Sequence, residues 1–226
     1  SEMCIRDSAR VACSMSRHVS NIVVAVTGAS GAMYARRLLQ LLAGGEARLH
    51  VHLIISPHGE KLLADELGVR DATPEALIGA PARRFTRHPY DDVGAEPASG
   101  SFPTVGMVVC PCSSNTLGAI ASGLGDNLIT RAAQVTLKER RRLVLVHRET
   151  PLSEIDLRNM LRITRAGGII CPAEPAFYMM PRTIDDLVDS VVGRVLDLFH
   201  LPHELHTRWA GGTTSWNLPG RKTASR

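Results

Sequence analysis

Aromatic side chains make up only 4% of this 226-residue chain, although 44% of its residues are hydrophobic. The two tryptophans, Trp209 and Trp216, sit at or past the edge of the patterned region, so neither serves as a stacking platform. Long apolar runs are also missing: Ile22 to Val26 and Val105 to Cys110 fall far short of the roughly 20 residues a membrane-spanning helix needs. No secretory signal is expected, because Ser1 to Ser20 threads Glu2, Arg6, Asp7, Arg10 and Arg17 through its few apolar residues. These absences predict a soluble, cytosolic protein with no membrane contact. The five cysteines, Cys4, Cys13, Cys110, Cys112 and Cys171, are odd in number and lack a C-x-x-C pair, which predicts buried free thiols. No metal is expected either. The C-x-C pair Cys110 and Cys112 has no matching second pair, and Pro202 interrupts the spacing of His200, His203 and His206. Within 21–209 there is no internal repeat and no low-complexity segment.

The chain does carry 26 basic against 22 acidic residues and a pI near 9.0, which raises a nucleic-acid reading. The placement of the charge removes it. Residues 1–20 hold three basic and two acidic residues, and 210–226 hold three basic and none, so the body from 21 to 209 has 20 of each. Both end segments are expected to be mobile. Met15 reads as a natural start, with the residues before it an upstream remnant.

Between the ends, β-branched runs alternate with helical periods. Asn21 to Val26, Arg48 to Ile55, Val105 to Val109, Leu143 to Val146 and Gly168 to Cys171 read as five strands. Helices are expected at about Ala32 to Leu42, His58 to Leu67, Thr116 to Ser122, Asn127 to Glu139 and Ser153 to Arg165. A last helix is marked by the apolar stripe Ile184, Leu187, Val188, Val191, Val192, Val195, Leu196 and Phe199. Thr183 is its expected cap. Strands apolar on both faces and alternating with helices predict an α/β fold with a parallel sheet covered on both sides. Ligands of such sheets bind beyond the carboxyl ends of the strands.

The loops there are rich in chemistry. Thr27-Gly28-Ala29-Ser30-Gly31-Ala32 joins a strand to a helix N-terminus, where free amides and the helix dipole favour an anion, although the same glycines suit a plain tight turn. Ser113, Asn115 and Thr116 sit in a second such loop and fit either a phosphate or a capping role. Arg131 and Lys138 are seven residues apart on one helix face, and Arg148-Glu149 places a cation beside an anion after the fourth strand. Spacing alone leaves these open between ligand contacts and solvated charge. Arg194 flanks the last apolar stripe, where a long side chain commonly snorkels.

Read together, seven ordered segments resemble the flavin prenyltransferases of the UbiX family. They are T-G-A-S-G-A-M-Y-A (Thr27 to Ala35), A-S-G-S-F (Ala98 to Phe102), P-C-S-S-N-T-L (Pro111 to Leu117), D-N-L-I-T-R-A-A (Asp126 to Ala133), L-K-E-R-R (Leu137 to Arg141), R-E-T-P-L (Arg148 to Leu152) and P-A-F-Y (Pro175 to Tyr178). The similarity covers about 21–209. It implies a single flavodoxin-like, Rossmann-like three-layer domain assembled into a homododecamer. It also implies that reduced FMN takes a dimethylallyl group from dimethylallyl phosphate at N5 and C6, without a metal, and that the prenylated FMN then serves a separate UbiD-type decarboxylase. By match to the family's motifs, Gly28, Ala29, Ser30, Ser56, Ser113, Asn115, Thr116 and Arg148 contact FMN. Lys138, Arg148, Tyr178 and Arg194 hold the prenyl phosphate, with Arg131 close by. Glu66 and Glu149 are the active-site carboxylates, and Ser30, Glu66, Lys138 and Glu149 the implied catalytic set.

The chain departs from the family at Pro57-His58-Gly59, at Met179-Met180, at Ser114-Asn115 and at Val93, while the matched polar residues stay in place. Two other classes remain open at this point. One is a flavin decarboxylase of the cysteine-decarboxylase type, whose P-x-M-N-x-x-M-W-like loop contrasts with Pro175-Ala176-Phe177-Tyr178 here. The other is a non-catalytic FMN-binding partner subunit.

Overall fold

The computed structural model describes residues 21–205. The expectations for both end segments, for Cys4, Cys13 and Met15, and for His206, Trp209 and Trp216 lie outside the described residues. Six parallel strands form one sheet: β1 (Asn21–Val26), β2 (His50–Ile55), β3 (Phe85–His88), β4 (Gly106–Cys112), β5 (Arg142–His147) and β6 (Ile169–Ile170). Their spatial order is β3-β2-β1-β4-β5-β6. Without the short edge strand β3 this is the flavodoxin-like order. The chain reverses direction across the sheet between β1 and β4, where ligands of doubly wound folds bind.

Among the described residues six α-helices lie between strands and a seventh follows the last: α1 (Ala32–Gly44), α2 (Pro57–Leu67), α3 (Pro74–Ile78), α4 (Ser114–Ala121), α5 (Leu128–Lys138), α6 (Glu154–Arg165) and α7 (Ile184–Leu198). β1 alternates between two cores. Ile22, Val24 and Val26 pack with α1, α2, α3 and α7 on one face, and Val23 and Ala25 pack with α4, α5 and α6 on the other. The expected three layers are thus present. Arg37 on α1 grips Asp189 on α7 bidentately, at 2.5 and 2.9 Å, and fastens two helices of one layer.

Each expected strand and long helix exists, with ends that shift by a few residues. Cys110-Pro111-Cys112, past the expected strand end at Val109, continues strand β4. Both of its cysteines are buried free thiols, as expected, while Cys171 is half-buried. Two elements had no counterpart in the sequence reading. β3 has four residues and pairs on one side only, with β2, so it needs no apolar run. The five-residue α3 starts on a Thr73 cap that accepts the Ala76 amide and ends at Gly79, too short for a helical period to emerge. Thr183 caps α7 as expected, in a full capping box with Asp186. Among the described residues no helix is long and apolar enough to cross a membrane.

The first residue of β4 leaves no room for a side chain. Gly106 has φ +144°, and a Cβ there would stand 2.2 Å from the Arg142 carbonyl oxygen of β5. Gly106→Ala is expected to destabilise the fold by more than about 1 kcal/mol, read as a lower melting midpoint. A substitution without effect would show that the two strands separate freely at that end.

Candidate active site

The two central loops are joined by one side chain. Thr27, buried at the end of β1, donates its hydroxyl to the Pro111 carbonyl at 2.8 Å and accepts the Ser113 amide at 2.9 Å. The Thr27 amide reaches the same Pro111 carbonyl at 3.2 Å. From the neighbouring strand, the Arg148 amide donates to the Cys112 carbonyl at 3.2 Å, and the Arg148 Nε donates to the Ser30 carbonyl at 3.1 Å. The loops after β1, β4 and β5 therefore stand in fixed register around Ser30.

Glu66, near the end of α2, enters this cluster from outside it. Its carboxylate accepts the Ala32 amide at 2.8 Å and the Gly31 amide at 3.0 Å, capping α1, which has no side-chain cap of its own at Gly31. Partial burial pushes the Glu66 carboxyl upward, but hydrogen bonds from Ser30, Ala32 and Gly31 and the charge of Arg148 outweigh it and hold Glu66 below its ordinary value. Glu66 is an ionised anchor of the Ser30 loop. Tyr34, which the sequence reading passed over, lies beside this loop. Burial and the neighbouring Cys110 raise its phenol, against the opposing charge of Arg148.

The remaining expected flavin contacts surround the same edge. Gly28 is exposed, and a Cβ on it would lie 2.5 Å from the His58 Cβ, so one of the departures from the resembled motifs packs directly on this glycine. Ser56 and Ser113 both act as helix caps: Ser56 accepts the Gly59 amide at 3.0 Å, and Ser113 accepts the Thr116 amide at 3.3 Å. Capping and ligand contact are compatible here. The Ser114 and Asn115 amides precede the first backbone bond of α4 and have no hydrogen-bond partner among the described residues. With the exposed Asn115 side chain, the Thr116 hydroxyl and the partly buried Arg148, they form a donor set suited to a phosphorylated ligand.

Behind this loop runs a polar network. Ser114 Oγ lies 3.0 Å from Nε2 of the buried His147, and Asp156 of α6 sits beside both. Hydrogen bonds from Ser153, at 2.6 Å from its hydroxyl, and from Ser114 pull Asp156 down to about 2. Burial lowers His147, against the pull of Asp156 and Glu149. The network ties the α4 N-terminus to β5 and α6. The pattern Ser153-x-x-Asp156 signals its helix cap in the sequence, but its partners Ser114 and His147 emerge only in three dimensions.

The residues expected to hold the prenyl phosphate are more dispersed. Lys138 ends α5 and pairs with Glu139, against Gly100 of the A-S-G-S-F segment. Arg131 on the same helix reaches Gln134 at 3.4 Å. Tyr178 is exposed in the turn Phe177–Met179, and Arg194 is exposed on α7 near Cys171. Glu149 is exposed and accepts the Thr150 amide at 3.2 Å. Within the described residues of one chain, no hydrogen bond or ion pair joins Arg131, Lys138, Tyr178 or Arg194 to Arg148.

A doubly wound parallel sheet with a phosphate-ready loop set at its switch point defines a flavin-binding α/β protein, and the Flavoprotein family matches residues 11–196. The flavin prenyltransferase UbiX of Halalkalibacterium halodurans is 45% identical over 190 residues, spanning 82% of this chain and 91% of that one. The crystal structure of AnUbiX in complex with FMN and dimethylallyl pyrophosphate superposes with a TM-score of 0.77 at 46% identity, over 86% of this chain and 100% of that one. A dodecameric FMN-dependent UbiX-like decarboxylase from Escherichia coli superposes with a TM-score of 0.77 at 43% identity, over 84% and 100%. The chain belongs to the UbiX flavin prenyltransferases. That membership favours prenyl transfer over the cysteine-decarboxylase and carrier readings.

Two outcomes test this geometry. Thr27→Val strips the Ser113 amide of its partner and leaves the buried Pro111 carbonyl with the residue-27 amide alone, and is expected to cost about 1–3 kcal/mol, together with weaker flavin retention, read by chemical denaturation and by flavin absorbance after gel filtration. Because folding lowers the Glu66 pKa from its usual 4.5, its charge stabilises the fold at neutral pH, and this contribution fades as pH falls below that value. The melting difference between wild type and Glu66→Gln should therefore be full at pH 7 and shrink in acid. A difference independent of pH would remove the capping role.

Proposed function

We propose that this chain transfers the dimethylallyl group of dimethylallyl phosphate to N5 and C6 of reduced FMN in the cytoplasm, and that the prenylated FMN serves a UbiD-type decarboxylase. The observation that carries the reading is the Ser30–Glu66–Arg148 cluster at the switch point of the sheet, with the open α4 N-terminus beside it. Reduced FMN supplies the nucleophilic ring atoms. Gly28, Ala29, Ser30, Ser56, Ser113, Asn115, Thr116 and Arg148 hold it, the Ser114 and Asn115 amides favouring its phosphate end.

Loss of phosphate from an allylic carbon leaves negative charge on the leaving group. Lys138, Arg148, Arg194 and the Tyr178 hydroxyl, with Arg131 nearby, stabilise that charge through fixed donors rather than a metal. The ionised Glu66 keeps Ser30 against the ring and sets a negative charge near the cationic carbon. The proton released from N5 goes to the departing phosphate and on to the prenyl double bond, whose tertiary carbon then bonds to C6, and Glu149 takes up the proton that C6 loses.

The exposure of Lys138, Tyr178 and Arg194 fits a donor pocket closed by a further copy of the chain. Leu157 and Leu161 leave an exposed apolar patch on one face of α6, and Ile155 and Ile184 are exposed near the starts of α6 and α7, all available to such contacts. A homododecamer, as in the Escherichia coli relative, accommodates both features.

Anaerobic incubation with reduced FMN and dimethylallyl phosphate should yield a flavin heavier by one prenyl unit in the mass spectrum. A parallel reaction with the pyrophosphate ranks the two donors. Lys138→Ala and Glu149→Ala are expected to lower turnover by about 10²–10³ while FMN still copurifies. Unmodified flavin at saturating donor would sink the reading.

A further inference from the structure

We propose that His52, His88 and Glu96 form a binding site for one divalent transition-metal ion, zinc by chemical preference, which fastens the edge strand to the segment leading into the A-S-G-S-F loop. His52 lies inside β2 and His88 ends β3, and Glu96 opens a 3-10 turn, Glu96–Ala98. His52 Nδ1 is 2.9 Å from His88 Nε2 and 3.7 Å from Glu96 Oε2, and the three ligand atoms all lie within 4.8 Å of one another. Zinc bonds of about 2.0–2.2 Å in a tetrahedron hold ligand atoms about 3.3–3.5 Å apart. The histidine pair has to open by about half an ångström, and the Glu96 carboxylate, 3.7 Å from His52 and within 4.8 Å of His88, has to swing in by up to about 1.4 Å, a movement its exposed side chain allows.

An ordinary neutral hydrogen bond explains the two histidines but not the carboxylate. Only one proton lies between the facing nitrogens, and at 3.7 Å Glu96 takes no hydrogen bond from either ring. Its negative charge converges on a buried nitrogen pair with no positive charge between them. A metal ion supplies that charge. It needs both facing nitrogens as lone-pair donors, which requires the shared proton to move to the far nitrogen of its own ring, with no net proton gained or lost.

The surroundings fix the ligands. The Phe102 ring meets His52 edge-on at 4.8 Å, and His50 stands 4.9 Å away on the same face of β2, held to Thr86 at 2.8 Å. His52 is 3% exposed, whereas the Glu96 side chain is 62% exposed, so the ion has a way in from solvent and a place for a water as fourth ligand. The chain continues from Glu96 to Gly100 and Phe102, whose carbonyls are each held by Arg141 at 2.6 Å, and Gly100 borders Lys138. The ion would be structural, apart from the groups assigned to prenyl transfer.

The test uses the tag-free full-length protein, stripped with chelator and titrated with zinc by calorimetry and thermal melting, and with cobalt by visible absorption. One zinc per chain, a raised melting midpoint and the intense visible bands of tetrahedral cobalt are expected. Glu96→Gln changes an exposed side chain, so its metal-free melting should match wild type. Loss of even an outer-shell partner weakens metal sites about 10–100-fold, so Glu96→Gln and His88→Gln should each lower affinity at least about tenfold. No zinc bound by wild type, or wild-type affinity in either variant, would overturn the proposal.

Discussion

One buried hydroxyl determines where the working edge of this protein stands. Thr27 bonds both the carbonyl and the amide that flank the turn out of β4, and so locks that turn to the end of β1. Parallel strands align their ladders but leave their departing loops independent. Here the alignment continues past the sheet, because Thr27 on one strand and the Arg148 amide on another each hold the backbone between Pro111 and Ser113. The Ser30 loop, the α4 N-terminus and Arg148 consequently share one frame, and the small polar groups around them need no large aromatic wall to be held in place.

The fold was largely legible in the amino-acid order, for reasons tied to particular residues. Ile22 to Val26 and Leu143 to Val146 are β-branched or aliphatic throughout because both their faces are covered, and the stripe from Ile184 to Phe199 has the period of a helix lying on one core. β3 was hidden because Phe85-Thr86-Arg87-His88 pairs along one edge only and need not be apolar. The Ser30 and Ser113 loops announced themselves through strand–turn–helix context and family likeness. The Glu66 cap did not, since its partners lie more than thirty residues away and no local spacing encodes them. His52 and His88 were concealed for a related reason: across parallel strands, histidines far apart in sequence come together only when the register is known.

Charge in this molecule is organised by location rather than amount. The excess that raised the overall pI belongs to the end segments, and the body is balanced. Within it, Glu66 and Arg148 meet beside the Ser30 loop, while Lys138, Tyr178 and Arg194 stand on α5, a surface turn and α7. The first group is gathered in one chain and the second is spread over its surface, which divides these side chains into a pre-formed cluster and a dispersed set.

The Glu66 carboxylate also changes what α1 can offer. A helix N-terminus at a strand end is ordinarily a landing place for anions, but here the Gly31 and Ala32 amides are already engaged by an internal one. Pro57 removes another donor at the start of α2, which leaves the Ser114 and Asn115 amides of α4 as the most open dipole at that edge. The cradle is therefore electrically one-sided. A ligand that carries its charge at one end can lie in it in a single direction, and polarity is selected before shape.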